Sequence, residues 1–89
     1  MYYVYLLKSK KDDSIYIGYT NNLKRRLDEH NDGLSQFTKS RRPFELVYYE
    51  AYKAQTDAEV REKRLKLHAQ GKVQLKLRLR HSLGEGVSG

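Results

Sequence analysis

Two short segments at the start of the chain, Tyr2–Leu7 (YYVYLL) and Ser14–Tyr19 (SIYIGY), constrain the fold most. The first is dense in aromatic and β-branched residues and the second alternates with period two, compositions that suit a pleated, half-buried strand. The polar run Lys8–Asp13 (KSKKDD) joins them, so the two are expected to pair as a β-hairpin.

Helical signals follow. Thr20, Asn21 and Asn22 are cap-forming residues just ahead of Leu23, Leu27, His30 and Leu34, which recur at helical spacing, and Gly33 offers a stop. A helix near residues 22–32 is expected. Gln36–Arg42 then reads as a basic loop closed by Pro43, and Glu45–Tyr52 (ELVYYEAY) as a third strand. Thr56-Asp57-Ala58-Glu59 has the form of a capping box, which places a second helix from about Asp57 to about Gln70, broken by Gly71. From Val73 to Arg80 a strand-like alternation is written in good helix formers, and the two signals conflict. His81–Gly89, with three glycines and two serines, is expected to be a flexible tail. The layout is α+β: a small three-stranded antiparallel sheet flanked by helices, one domain over residues 1–80 and a tail over 81–89.

Size and composition narrow the function. A chain of 89 residues has room for one modest core. Without cysteine there is no disulfide framework, thiolate zinc site or cysteine nucleophile. No apolar run approaches the roughly 20 residues of a membrane span, and Met1–Leu7 lacks the basic start of a signal peptide, so a cytoplasmic protein with no membrane partner is expected. The net charge of +7 favours a polyanionic partner, because cationic surfaces gain affinity by releasing counterions condensed on phosphates.

The residues able to carry chemistry are Tyr3-Val4-Tyr5, Tyr16-Ile17-Gly18, Arg26 and His30 on the first helix, and Glu62 on the second. Tyr3 and Tyr5 share one face of their strand, as do Tyr16 and Gly18, so antiparallel pairing can bring two phenols together. Gly18 either marks a bulge or strand end or lets a bulky backbone approach closely. Arg26 and His30, four apart, project from one side of the helix, where a guanidinium can fork onto a phosphate oxygen. Ala58, Glu62, Leu65 and Ala69 follow helical spacing, so Glu62 interrupts an apolar stripe and needs a partner, either a neighbouring Lys or Arg or a bound cation. The capping box accounts for Glu59.

As a set these residues resemble the GIY-YIG nucleases, and within them the small single-domain members called UPF0213 or YhbQ-like proteins; the chain is also similar to the N-terminal nuclease domain of UvrC. The resemblance covers roughly residues 2–75. It rests on the YVYLL start with Tyr5 at the first-motif tyrosine, the intact YIG at Tyr16–Gly18, Arg26 ten residues beyond Tyr16, His30, the basic RRP ahead of LVYYE, and Glu62 at the family's metal-binding glutamate. The chain departs from the pattern where the first motif reads Tyr-Val-Tyr, and at a late polar residue, often asparagine, for which Lys72 and Gln74 are the nearest candidates.

The resemblance implies a central antiparallel sheet flanked by helices and hydrolysis of DNA phosphodiesters with one divalent metal, Mg²⁺ or Mn²⁺, and no small-molecule cofactor. It implies that Tyr5 or Tyr16 is general base on a water, that Arg26 neutralises charge on the phosphorane, that His30 accepts or relays a tyrosine proton, and that Glu62 holds the metal. One carboxylate with water and phosphate oxygens suits Mg²⁺, which keeps much of its hydration shell. With no appended DNA-recognition domain expected, sequence specificity is expected to be low. Branched and single-stranded DNA both fit, in repair or recombination.

Two other readings fit the same residues. Gly18, Lys39, Arg41 and Arg42 are the residues expected to meet nucleic acid beside the catalytic set; in a non-catalytic binding module the tyrosines stack on bases and Lys39, Arg41 and Arg42 grip phosphates. In an adaptor the basic segment 61–80 docks on an acidic surface and the tyrosines are only core. Convergence of Tyr5, Tyr16, Arg26 and Glu62 separates both from the enzyme.

Overall fold

A computed structural model of the chain describes residues 1–36, 38–67, 78, 79 and 82. The opening hairpin forms as its pattern requires, with β1 (Tyr2–Ser9) and β2 (Ile15–Thr20) pairing antiparallel in a register that sets Tyr5 opposite Gly18 and Leu7 opposite Tyr16. The third strand, β3 (Phe44–Tyr52), pairs antiparallel with the other edge of β1, giving the order β2-β1-β3. It begins one residue before the expected Glu45, because Phe44 pairs with Ser9.

Alternation along the central strand divides the core between two faces. Val4 and Leu6 pack with Ile17, Ala58 and Leu65, while Tyr5 and Leu7 pack with Phe44, Tyr16, Leu23 and Leu27. The helix α1 (Leu23–Asn31) therefore covers the Tyr5 face, and α2 (Gln55–Leu67) covers the Val4 face. A register shift between Leu6 and Leu7 puts Leu7 opposite Leu46 and Leu6 opposite Tyr48, leaving Val47 as the extra residue. This bulge lets Val47 and Tyr48 join the same face, which strict alternation forbids.

Asn22 caps α1 through its side chain, which accepts from the Arg25 amide, and Gly33 at φ +78° ends the helical path. Leu34 is the exception to the expected apolar stripe. It lies beyond the helix and is exposed, since the glycine turns the chain away before its spacing would return it to the core. Asn31 docks the end of α1 on β3 by accepting from the Phe44 amide at 2.6 Å and donating to the Phe44 carbonyl at 3.2 Å.

The second helix starts earlier than Asp57. Only Lys53 and Ala54 separate β3 from α2, and the Ala54 carbonyl accepts from the Ala58 amide, so Thr56 lies inside the first turn and is not the cap. Glu59 consequently takes no part in a capping box and instead accepts from the Tyr19 hydroxyl at 2.9 Å. On the same face, Glu50 accepts from Tyr48, Tyr52 and both prongs of Arg61, which ties α2 to β3. The expected helix end near Gln70, the 73–80 alternation, the polar positions Lys72 and Gln74, and nearly all of the 81–89 tail lie outside the described residues. Among the described residues no helix is long and apolar enough to cross a membrane.

Candidate active site

The site grows from Tyr5, a phenol in the middle of the central strand. Its side chain is 2% exposed, and its hydroxyl lies 3.1 Å from Nε2 of His30, which is fully buried on α1. On its other side the imidazole meets Thr38, whose Oγ1 is 2.7 Å from Nδ1 and which is itself buried. Three polar groups are thus strung in series through an apolar interior with each one satisfied, as buried polar groups require.

Burial pushes the Tyr5 phenol up to about 12, against the Arg26 guanidinium that stands beside it and favours the charged form; Tyr16 and Glu62 add to the rise. Tyr5 therefore keeps its proton at neutral pH, and its hydroxyl and Thr38 Oγ1 each share a hydrogen bond with one of the two imidazole nitrogens. Burial, reinforced by the Arg26 charge, pushes His30 down to about 4, so the imidazole is neutral.

Folding stability should carry the signature of that histidine. The unfolded chain takes up a proton near pH 6.5 that the folded chain refuses until about pH 4, so stability falls as pH drops through this window, by about 3 kcal/mol at its lower end. Urea melts of the native protein and His30→Gln at several pH values check this. The stability difference between them should narrow steadily from pH 6.5 to pH 4, and a constant difference would show that His30 is not held neutral.

Arg26 reaches this cluster from the same helix, with Nη1 bonded to Glu29 Oε1 at 3.1 Å and the guanidinium electrostatically coupled to Tyr5 and Tyr16. Arg25 points elsewhere: it is exposed and donates to Asn21 Oδ1 at 3.0 Å.

Tyr16 lies on the edge strand β2, half-buried, its ring against His30 at 4.9 Å and 6.4 Å from that of Tyr5. An edge strand can be approached from both sheet faces. Lys66 of α2 does so, placing Nζ 5.6 Å from the Tyr16 ring centre. It also pairs with Glu62 at 3.5 Å, and Glu62 is close enough to Tyr5 to act on its ionisation.

Tyr5, Tyr16, Arg26, His30 and Glu62 therefore gather around one locus on two helices and two strands. Thr38, Glu29 and Lys66 were missed in the sequence. For Glu29 and Lys66 the signal was present, as partners at i+3 to Arg26 and i+4 to Glu62; for Thr38 there was none, since its contact depends on the path of the loop.

Gly18 sits under this cluster. A β-carbon there would stand 2.6 Å from Tyr5 Cζ and 3.1 Å from Tyr16 Cε1, so the space that glycine leaves is filled by the two phenols. Gly18→Ala should push the buried Tyr5 ring off its bond to His30 and cost about 1–3 kcal/mol. Thermal melts with a tyrosine fluorescence readout check this, and an unchanged melt would mean the Tyr5 ring has room to move.

The basic loop is a separate group. Lys39 and Arg42 are exposed, while Arg41 is 3.6 Å from Asp12 in the β1–β2 turn. Among the described residues no three His, Asp or Glu side chains cluster as a complete metal cage. A cation at Glu62 would take one carboxylate from the chain and its other ligands from water and substrate oxygens, which fits Mg²⁺ or Mn²⁺.

Known proteins share the sequence pattern and the fold of this chain. Residues 1–74 match the family described as the GIY-YIG catalytic domain. The chain is 46% identical over 63 residues to a UPF0213 protein of Clostridium perfringens, covering 70% of this chain and 67% of the relative. It is 39% identical over 79 residues to a UPF0213 protein of Staphylococcus aureus, covering 88% and 92%. The solution NMR structure of a UPF0213 protein from Bacillus halodurans superposes with a TM-score of 0.56 at 30% identity, over 99% of this chain and 98% of that one.

Proposed function

This chain belongs to the GIY-YIG nuclease family, in its UPF0213 group, and from that membership we propose that it is a metal-dependent endonuclease hydrolysing DNA phosphodiester bonds. Branched, flapped or single-stranded forms are its substrates in this reading, and repair or recombination its setting. The observation that carries it is the gathering of two tyrosines, a guanidinium and a carboxylate on one locus, in a chain of net charge +7.

Arg26, oriented by Glu29, forks onto non-bridging oxygens of the scissile phosphate and meets the charge that develops there as water adds to phosphorus. Of the two tyrosines, Tyr16 suits the base, because it is half-buried on an open strand edge where water and substrate can reach it, whereas Tyr5 is buried. Acting as its phenolate, Tyr16 takes the proton from the attacking water while the bond to the leaving oxygen breaks. Tyr5 keeps its proton, and the Tyr5–His30–Thr38 series keeps the floor of the site fixed.

Glu62 would hold the divalent ion. Lys66, its partner in the ion pair, is on a flexible stem and half-exposed, so one cation can replace another at the carboxylate. When bound, the ion supplies Lewis-acid stabilisation of charge on the phosphate. Incubating the protein with branched, flapped, nicked and single-stranded DNA, with Mg²⁺ and with chelator, tests the reading and ranks the substrates. Binding to all four forms without cleavage of any would leave a nucleic-acid-binding module.

A further inference from the structure

A cleft of about 520 Å³ opens between the β1–β2 turn and the segment after α1, lined by Lys11, Gln36, Lys39, Ser40 and Arg42. Among the described residues its lining holds three cations and no carboxylate. The walls are tied together. Lys11 Nζ donates to the Ser40 carbonyl at 3.1 Å, the buried Ser9 hydroxyl donates to the Arg41 carbonyl at 2.6 Å, and the Lys10 amide donates to the Pro43 carbonyl at 2.8 Å.

The three basic residues of the loop are not equivalent. Arg41 is occupied by Asp12 and holds the loop to the turn. Among the described residues, neither Lys39 nor Arg42 has a carboxylate partner. The Arg42 guanidinium lies over Gly33, where a β-carbon would come within 3.0 Å of Arg42 Cζ. A guanidinium and an ammonium facing one cleft, with no carboxylate partner among the described residues, form a site for a phosphate group.

We propose that this cleft is a second phosphate subsite, which takes a backbone phosphodiester of the bound strand at a position other than the one being cleaved. Lys39 and Arg42 are its ligands and Arg41 is a structural residue. The identity of the ligand rests on the function proposed above. Thr38, which bonds His30 in the site, directly precedes Lys39, so the subsite and the catalytic cluster share one anchored segment and the distance between their two phosphates is fixed. The subsite thereby sets which bond along the strand reaches Arg26.

The test is DNA binding across a salt series, in chelator so that no cleavage occurs. Each phosphate contact adds about 0.7 (single strand) to 0.9 (duplex) to the slope of log affinity against log salt. Lys39→Gln should lower the slope by that amount, Lys39→Gln/Arg42→Gln by about 1.4–1.8, and Arg41→Gln should leave it near the native value. Lys39 is exposed, so its single variant keeps the test decisive even if the double variant unfolds. An unchanged slope for Lys39→Gln, or an equal fall for Arg41→Gln, overturns the proposal. Inorganic phosphate bound at the cleft with no change in the DNA slope would make it a free-anion site and overturn the nucleic-acid assignment. Because the experiment reads binding alone, the slopes decide the subsite even for a native protein that proves unable to cleave DNA.

Discussion

Arg26→Ala should slow the chemical step of DNA cleavage by roughly 10²–10³-fold while weakening DNA binding only slightly. The asymmetry follows from where the guanidinium stands. It is partly buried, aimed by Glu29 at 3.1 Å and set beside the Tyr5 hydroxyl, so in the proposed mechanism it meets the phosphate where charge develops and not along the strand at large. Arg26→Lys should rescue little, because an ammonium keeps the charge but loses the planar two-pronged contact. Arg25→Ala is the control: its side chain is exposed and bonded to Asn21, and its loss should cost no more than a few-fold. Single-turnover cleavage by the three variants at saturating protein separates the steps. Equal, modest losses for Arg25→Ala and Arg26→Ala that track weaker binding would make both ordinary backbone contacts.

The second large effect is expected at Glu62. Glu62→Gln keeps the shape of the side chain and removes its charge, so metal-dependent cleavage should disappear while the fold and most of the DNA affinity persist. Glu59 is the matched comparison, one turn earlier on α2. It accepts from Tyr19 at 2.9 Å, so Glu59→Gln should cost about 1 kcal/mol of stability and leave cleavage nearly intact. Cleavage rates and thermal melts of both variants decide the matter. Loss of activity in Glu59→Gln alone would exchange the roles of the two carboxylates.

The sheet and α1 were legible because each is written in a local pattern: aromatic and β-branched composition for β1, period-two alternation for β2, and Asn22 ahead of Leu23 and Leu27 for α1, with Gly33 to stop it. Errors arose where a tertiary contact competed with the local signal. Thr56 resembles a cap, but the two-residue connection from β3 starts the helix at Gln55 and carries Thr56 inside. Leu34 continues the helical spacing on paper, yet the positive φ of Gly33 takes it out of the core. The Val47 bulge leaves no mark in ELVYYEAY, because it comes from pairing with β1.

The site was readable as a set of residue types and spacings, and the structure brings Tyr5, Tyr16, Arg26, His30 and Glu62 into one neighbourhood. Its internal wiring was not readable. That Tyr5 meets His30, that Thr38 holds the far side of the imidazole, and that Lys66 crosses the sheet edge to Tyr16 all depend on long-range packing. The three basic loop residues also look alike in sequence, and only the position of Asp12 separates Arg41 from Lys39 and Arg42.

The most direct measurement of the central claim is single-turnover cleavage of a flapped DNA duplex by protein stripped of divalent ions and then given Mg²⁺ back. The predicted result is no cleavage after stripping, full recovery on adding Mg²⁺, and no recovery in Glu62→Gln. Cleavage that survives stripping, or DNA that stays bound and uncut with Mg²⁺ or Mn²⁺ present, would contradict a metal-dependent hydrolytic centre built on Arg26, Tyr16 and Glu62.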